Sequence, residues 1–375
     1  MKRERILYSA LGLIAFAVIF AFVDYIFTGA SKNQNPQDLF EIKNAPSDWG
    51  WAQRTFPYFD YDKEAPRKAV EQAQKLRAEK SLRKSNPNVE WEFAGPVNIG
   101  GRISDIEFNP LDPNIVYACA ATGGVLKSTD KGISWLMIFD DQSVLPCGDI
   151  AVDPVNPNIL YVGTGEPNGS HNNFPGAGVY KSTNAGGSWD YIGLENTNNI
   201  GRIIIDPLNT NNVYLAAIGS YFTKSPDRGL YKSTDAGATW EKKLFISDSC
   251  GAIDVVLDPT NPEFLLATVW ERVRTPHYSL AAGPESGIYK STDAGESWNR
   301  LSATNGLPDE SVNVGRIGLS ISLSSPNISY ALYTNGVDIF GLYKTEDYGE
   351  NWIEVSNGNL LSAGFSWYFG QVRVH

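Results

Sequence analysis

Cysteine is nearly absent from this chain, with Cys119, Cys147 and Cys250 the only three in 375 residues. No Cys-x-x-Cys spacing occurs, which excludes a thiolate zinc site and a dense disulfide framework. Each cysteine reads as a small core residue. One pair could bond in an oxidising compartment, but the spacing does not select which. Histidine is as scarce, at His171, His277 and His375. No metal-ligand spacing and no nucleophile–base pair emerges, so neither a metal nor another cofactor is expected. Charged residues make up only 19% of the chain, and beyond residue 84 they carry a net charge of −15. A body so short of positive charge repels phosphate backbones, which excludes nucleic acid as a partner.

Apolar residues are 42% of the sequence and aromatics 12%, and 35 glycines and 21 prolines are spread through the body. That is the composition of many short strands joined by turns, an all-β fold. One long apolar run exists. Lys2, Arg3 and Arg5 precede residues 6–23, which are apolar apart from Ser9 and long enough to cross a bilayer as a helix. Residues 1–30 therefore read as a membrane anchor or a signal peptide, with Thr28-Gly29-Ala30 the candidate cleavage site. The body is expected in the cell envelope, outside the cytoplasm, either anchored through that N-terminal helix or secreted. Residues 31–90 read as a linker. A helix is expected around 64–84, where Ala, Glu, Gln, Lys, Arg and Leu dominate and Pro66 sits in the first turn.

From residue 91 the chain repeats. Lys127-Ser-Thr-Asp-Lys-Gly-Ile-Ser-Trp135, Lys181-Ser-Thr-Asn-Ala-Gly-Gly-Ser-Trp189, Lys232-Ser-Thr-Asp-Ala-Gly-Ala-Thr-Trp240, Lys290-Ser-Thr-Asp-Ala-Gly-Glu-Ser-Trp298 and Lys344-Thr-Glu-Asp-Tyr-Gly-Glu-Asn-Trp352 share one pattern. Their tryptophans lie 54, 51, 58 and 54 residues apart, a period that indicates a propeller or a solenoid. Asp130, Asn184, Asp235, Asp293 and Asp347 are suited to bond backbone N–H groups across a turn, glycine supplies a positive φ, and the tryptophan buries a large area. Their role is structural. A Gly-Arg-Ile strand start, an Asp-Pro-x-Asn turn, a Tyr-bearing strand and a Gly-x-Tyr-Lys strand recur around each copy, giving four strands per unit, a propeller blade.

These repeats resemble the Asp-box, or BNR, repeats of sialidases, of two-propeller xyloglucanases and of the sortilin ectodomain. The stretch Trp91-Glu-Phe-Ala-Gly-Pro-Val-Asn-Ile-Gly-Gly-Arg-Ile103, with Gly163-Thr-Gly-Glu166 and Thr268-Val-Trp-Glu-Arg272, looks closest to exported bacterial proteins with a sortilin-type propeller. The resemblance covers residues 45–375 and implies a β-propeller over 91–375 that binds a peptide, protein or glycan opposite its boxes. The alternative it leaves open is a glycoside hydrolase acting on an extracellular polysaccharide or a sialoside. Xyloglucanases of this kind carry an acid in an Arg-Thr-Asp-Val-Gly-Gly stretch, and Ala121 occupies the matching position here. Sialidases carry a Phe-Arg-Ile-Pro motif whose proline is missing here. Five boxes give five blades, and residues 367–374 read as the inner strand of a sixth. On that count the ring stays open, as in a piece of a longer protein.

In such blades the loops between second and third strands emerge opposite the boxes, and here they are the longest and most varied. Inner strands start on the same face. Arg102, Arg202 and Arg316 are therefore expected near the axis beside Glu166, Glu271, Arg272, Arg274 and His277, where guanidinium groups could hold a carboxylate or phosphate. Glu166 and Glu271 are the candidate catalytic carboxylates. Trp270, with Tyr278, Trp367 and Tyr368, is a candidate for stacking on sugar faces or for packing between blades.

Overall fold

The computed structural model describes residues 100–374 apart from 170–172, 276–277 and 362–364, together with a helix at 65–81 and residues 51, 52, 55 and 62 before it. The chain divides into two units, residues 1–53 and 54–375, and everything below concerns the second. The apolar run at 6–23 lies outside the described residues. Among those described, no helix is long and apolar enough to cross a membrane. The expected helix spans Ala65–Ser81 and is mostly exposed. Its start is fixed by Ala65 N–H donating to Asp62 O and by a 3.0 Å ion pair between Lys68 and Asp62.

Five four-stranded antiparallel sheets follow, over residues 103–137, 147–191, 200–244, 250–300 and 317–354. Strands pair in chain order within each sheet, except that blade 4 inserts a two-stranded hairpin, Val273–Arg274 with Ser279–Leu280, between its second and third strands. The first strands of successive blades, Ile103–Phe108, Cys147–Val152, Ile200–Ile205, Cys250–Leu257 and Ile317–Ile321, lie side by side. They line the axis, and the apolar cores sit between neighbouring sheets. This is the β-propeller architecture expected from the repeats.

Each box closes the turn between third and fourth strands. In the first, Ser128 Oγ donates to Asp130 Oδ1 at 2.7 Å and accepts from Gly132 N at 2.8 Å, while Asp130 accepts the Ser134 amide at 2.8 Å and its hydroxyl at 2.6 Å. The bonds from the leading Ser or Thr hydroxyl and from the backbone N–H recur around Asn184, Asp235, Asp293 and Asp347, whereas Asn184 Nδ2 itself donates to Ser188 Oγ and Asp347 accepts from the Asn351 side-chain amide. Two successive residues, and not the glycine alone, take the left-handed conformation, as at Lys131 (φ 61°) and Gly132 (φ 88°). Trp189 and Trp240 donate their indole N–H to Ile138 O and Ile192 O of the preceding blade, whereas Trp135 in blade 1 is 41% exposed.

Hydroxyl and backbone N–H donors hold Asp130, Asp235 and Asp293 at a pKa of about 2, below the ordinary 3.8. Carboxyl groups depressed on folding stabilise the protein above their unfolded pKa, and that contribution is lost as pH falls from about 4 to about 2. Chemical denaturation at stepped pH is expected to show stability falling through that window. The slope should flatten in the triple variant Asp130→Asn, Asp235→Asn, Asp293→Asn, a change that Asn184 shows the turn accepts; an unchanged slope would refute the assignment.

A second set of ties joins blade to blade. Tyr161 Oη and Lys181 Nζ of blade 2 both donate to Ala236 O in the box turn of blade 3, at 2.9 and 2.8 Å. Tyr214 and Lys232 of blade 3 do the same to Ala294 O of blade 4, and Lys127 of blade 1 reaches Ala185 O of blade 2. Near the axis Asp105, Asp149 and Asp254 each accept a backbone N–H from the next blade's inner strand, at Ile150, Ile203 and Leu319. In blade 3 the inner-strand charge is reversed: Arg202 lies 3.0 Å from Asp254 and 3.6 Å from Asp149.

The segment expected to begin a sixth blade takes another form. Ser366–Phe369 is a single helical turn, and residues 370–374 run beside the inner strand of blade 5 without joining a sheet, Val374 N–H donating to Ser320 Oγ. Phe365, at φ 58°, turns the chain into that helix, and Arg316 fixes it by donating to Tyr368 O at 3.0 Å.

Candidate functional site

Because each inner strand begins on the face where the second-to-third loops emerge, those loops and the strand starts meet there. The loop of blade 2 leaves its strand through Gly165, whose φ is 85° and where a Cβ would lie 1.8 Å from Asn198 O. Only glycine fits so close a backbone approach. Glu166 follows, fully buried. Arg102 Nε and Nη2 donate to its two oxygens at 2.6 Å each, and Tyr368 Oη donates to Oε1 at 2.8 Å. Asn168 Oδ1 accepts from Arg316 at 2.6 Å, and Tyr221 Oη donates to Pro167 O. Groups from blades 1, 3 and 5 and from the C-terminal segment thus converge on Glu166-Pro167-Asn168. Glu166 raises the affinity of Arg102 for its proton; burial, reinforced by Glu166, raises that of Tyr368.

A second layer surrounds Tyr221. Arg228 is fully buried and donates to carbonyls of Ile218, Ser220, Thr223 and Arg272. Arg272, 1% exposed, stacks over Trp270 and Tyr221 at 5.5 and 5.8 Å and donates to Ser279 Oγ and Leu280 O. Burial lowers both guanidinium pKa values to about 10. Trp270 has no exposed surface: its indole donates to Ala281 O and its ring packs with Ile218, Tyr221, Ile253 and Trp367. Of the two roles open to it, packing is the one its burial permits. Arg274 is half-buried, its backbone N–H donating to Tyr221 O. Arg202 lies lower in the channel with its aspartates, and His277 and His171 lie outside the described residues.

Glu271 differs from Glu166 in every respect. It ends the second strand of blade 4, is half-buried, and accepts only the Glu285 N–H, at 3.3 Å, among the bonds resolved to its carboxylate. A Cβ on Gly283 would fall 1.9 Å from its Oε2. Burial pushes its pKa up from the ordinary 4.5, and the nearby Glu285 carboxylate adds to that. Tyr278, on the hairpin of the same loop, is 54% exposed. Among the described residues no three His, Cys, Asp or Glu side chains are placed to hold a metal ion.

Tyr221 and Arg228 belong to the site although sequence reasoning passed over them, and of the asparagines in the loop after Glu166, whose side chains suit ligand contacts or their own turns, Asn168 and Asn173 take part, the Asn173 amide donating to Glu166 O at 2.6 Å. For Arg228 the signal available was slight: an isolated arginine directly before the Gly229-Leu-Tyr-Lys232 strand.

The fold defines a β-propeller of four-stranded blades with a buried polar knot under its loop face. In sequence the chain is similar to a xyloglucanase of Paenibacillus sp, with 27% identity over 268 residues, 64% of this chain and 24% of that protein. It is also similar to xyloglucanase Xgh74A of Acetivibrio thermocellus, 27% identical over 231 residues, 54% of this chain and 26% of that one. An oligoxyloglucan-reducing end-specific xyloglucanase of Emericella nidulans is 26% identical over 233 residues, 57% and 26% of the respective chains. The chain spans about a quarter of the length of these relatives. An ancestral GH74 enzyme shares the fold, with a TM-score of 0.51 and 23% identity over 69% of this chain and 32% of that one. No family model matches the chain. These relatives correct the expectation of a sortilin-type propeller that binds a peptide or protein ligand: the similarity falls on proteins named as xyloglucanases, in line with the glycoside hydrolase alternative.

Proposed function

We propose that this propeller cleaves a glycosidic bond of an extracellular polysaccharide on its loop face, xyloglucan being the first candidate, with Glu271 as the general acid. The observation that carries this reading is the Glu271 carboxyl, half-buried, with its pKa raised by burial and beside a second carboxyl at Glu285. An acid with a raised pKa can deliver a proton to the leaving glycosidic oxygen near neutral pH, and a paired carboxylate then has to act on the sugar or on water. The names of the relatives support the substrate class. Ala121 stands where the resembling xyloglucanases carry an acid; it is 1% exposed, so the acid has to come from elsewhere. Glu166 has both oxygens engaged by Arg102 and Tyr368 and acts as the positioning residue that holds its loop. The exposed ring of Tyr278 supplies a stacking surface for a sugar. Export is supported by the basic tip with its apolar run at 6–23 and by a disulfide between Cys119 and Cys147.

Reducing-end release from xyloglucan and from a panel of other polysaccharides is the test. Glu271→Gln is expected to lower kcat by about 10²–10⁴-fold without moving the melting temperature. In the parent protein kcat should fall as pH rises through the pKa of Glu271. Undiminished turnover in Glu271→Gln removes the assignment, and no turnover on any member of the panel removes the hydrolase reading.

A further inference from the structure

At the axis, where the inner strands end and the Asp-Pro turns begin, lies a cavity of about 420 Å³. Its position, on the box side, separates it from the loop-face site. Pro154, Pro207 and Pro259, one from each of three successive blades, form a repeating apolar wall with Leu257 and Ile321. The volume is within the about 300–1,000 Å³ of small-molecule sites.

Three charged side chains reach the lining: Glu107, Arg202 and Arg373. Arg202 is matched by Asp149 and Asp254, and Arg373 lies 4.0 Å from Asp105. Among the described residues Glu107 makes no salt bridge. Facing it are Asp105 from its own strand, Asp149 from blade 2, Arg202 from blade 3 and Arg373 from the C-terminal segment, while Asp254 of blade 4 lies 3.0 Å from Arg202. Counting Glu107 and Asp254, four carboxylates meet two guanidinium groups, so the polar end of an otherwise apolar cavity carries an excess of negative charge that an added cation would offset.

We propose that the axial cavity binds a small molecule with an apolar body and a single primary ammonium group, the ammonium pairing with Glu107 and the body lying against the proline wall. Chemical class follows from charge: a carboxylate would meet a surplus of like charge, and a neutral alcohol would leave Glu107 unmatched. Burial, with the help of Asp105, raises the Glu107 pKa to about 7, so the pairing strengthens as the carboxyl loses its proton.

Isothermal titration of the full chain with phenethylamine tests this, beside 2-phenylethanol and 3-phenylpropanoate as neutral and anionic isosteres. Saturable binding of the amine alone is expected, tighter at pH 8 than at pH 5.5 by about tenfold, because the amine stays charged across that range while Glu107 does not. Glu107→Gln should weaken it by about tenfold or more, and Leu323→Lys, at the exposed rim, should do the same by repulsion while leaving the core untouched. Equal binding of the three isosteres, full-strength binding in either variant, or no heat from the amine at pH 8 overturns the proposal. Glu271→Gln should bind the amine normally, which keeps this site separable from the loop-face one.

Discussion

Arg202→Met is expected to lower the unfolding free energy by about 3–5 kcal/mol, the cost of breaking a buried charge pair from one side. The guanidinium is 14% exposed and stands between Asp149 and Asp254, which are 4% and 9% exposed. Burial alone works against its charge, yet the two aspartates outweigh that and shift its pKa upward. Asp149, pushed up by burial and by Asp105, depends on Arg202 as the opposing influence. Methionine keeps the apolar stem and removes only the charge, so the effect reads electrostatics more than packing. Urea denaturation at pH 7 measures it. Adding Asp149→Asn and Asp254→Asn to the methionine variant should recover part of the loss; a single-variant loss below about 1 kcal/mol would show the triad to be solvated.

Removing the disulfide is expected to cost about 3.5 kcal/mol. Cys119, on the second strand of blade 1, is bonded to Cys147, on the inner strand of blade 2, across 28 residues with a Cα–Cα distance of 5.4 Å. Closing a loop of that length limits the unfolded chain by about that amount in the chain-entropy estimate. The double variant Cys119→Ala, Cys147→Ala should therefore melt roughly 10 °C lower. Buried Cys250 is unpaired and serves as the control: Cys250→Ala should leave the difference between oxidised and reduced protein intact. If reduction does not change the melting temperature, the bond contributes nothing to stability.

Blade number could be read from residues alone because a box turn is closed by its own residues: serine, aspartate and glycine make their bonds within a few positions of each other. What the pattern hid is non-local. The left-handed residue before each glycine is Lys131, Ala185, Ala236, Ala294 or Tyr348, a set with no common chemistry, since the hydrogen bonds around it impose the conformation. Lys127, Lys181 and Lys232 recur visibly, but their use, reaching a carbonyl one blade away, depends on a neighbour more than fifty residues distant. The site was legible as a list of residues on one face and illegible as geometry. Glu166 and Arg102 meet, while Trp270, Arg272 and Arg316 turn out to lie beneath the surface, because loops of different blades close over them. The repeat predicts an inner strand of a sixth blade over residues 367–374, but the left-handed Phe365 turns the chain into the helix Ser366–Phe369 instead.

The ties through tyrosine and lysine also give the stack of blades a direction. On blades 2 and 3 the donors point toward the following blade and the accepting carbonyl of the box turn toward the preceding one, so the two sides of such a blade are unlike and mutually complementary. A duplicate of either blade inserted beside it in the same sense would find its partners already in place on both sides. Inserted in the opposite sense, it would set ammonium against ammonium and carbonyl against carbonyl. Growth of such a protein by repetition is therefore open in one sense only, whatever the sequence of its loops.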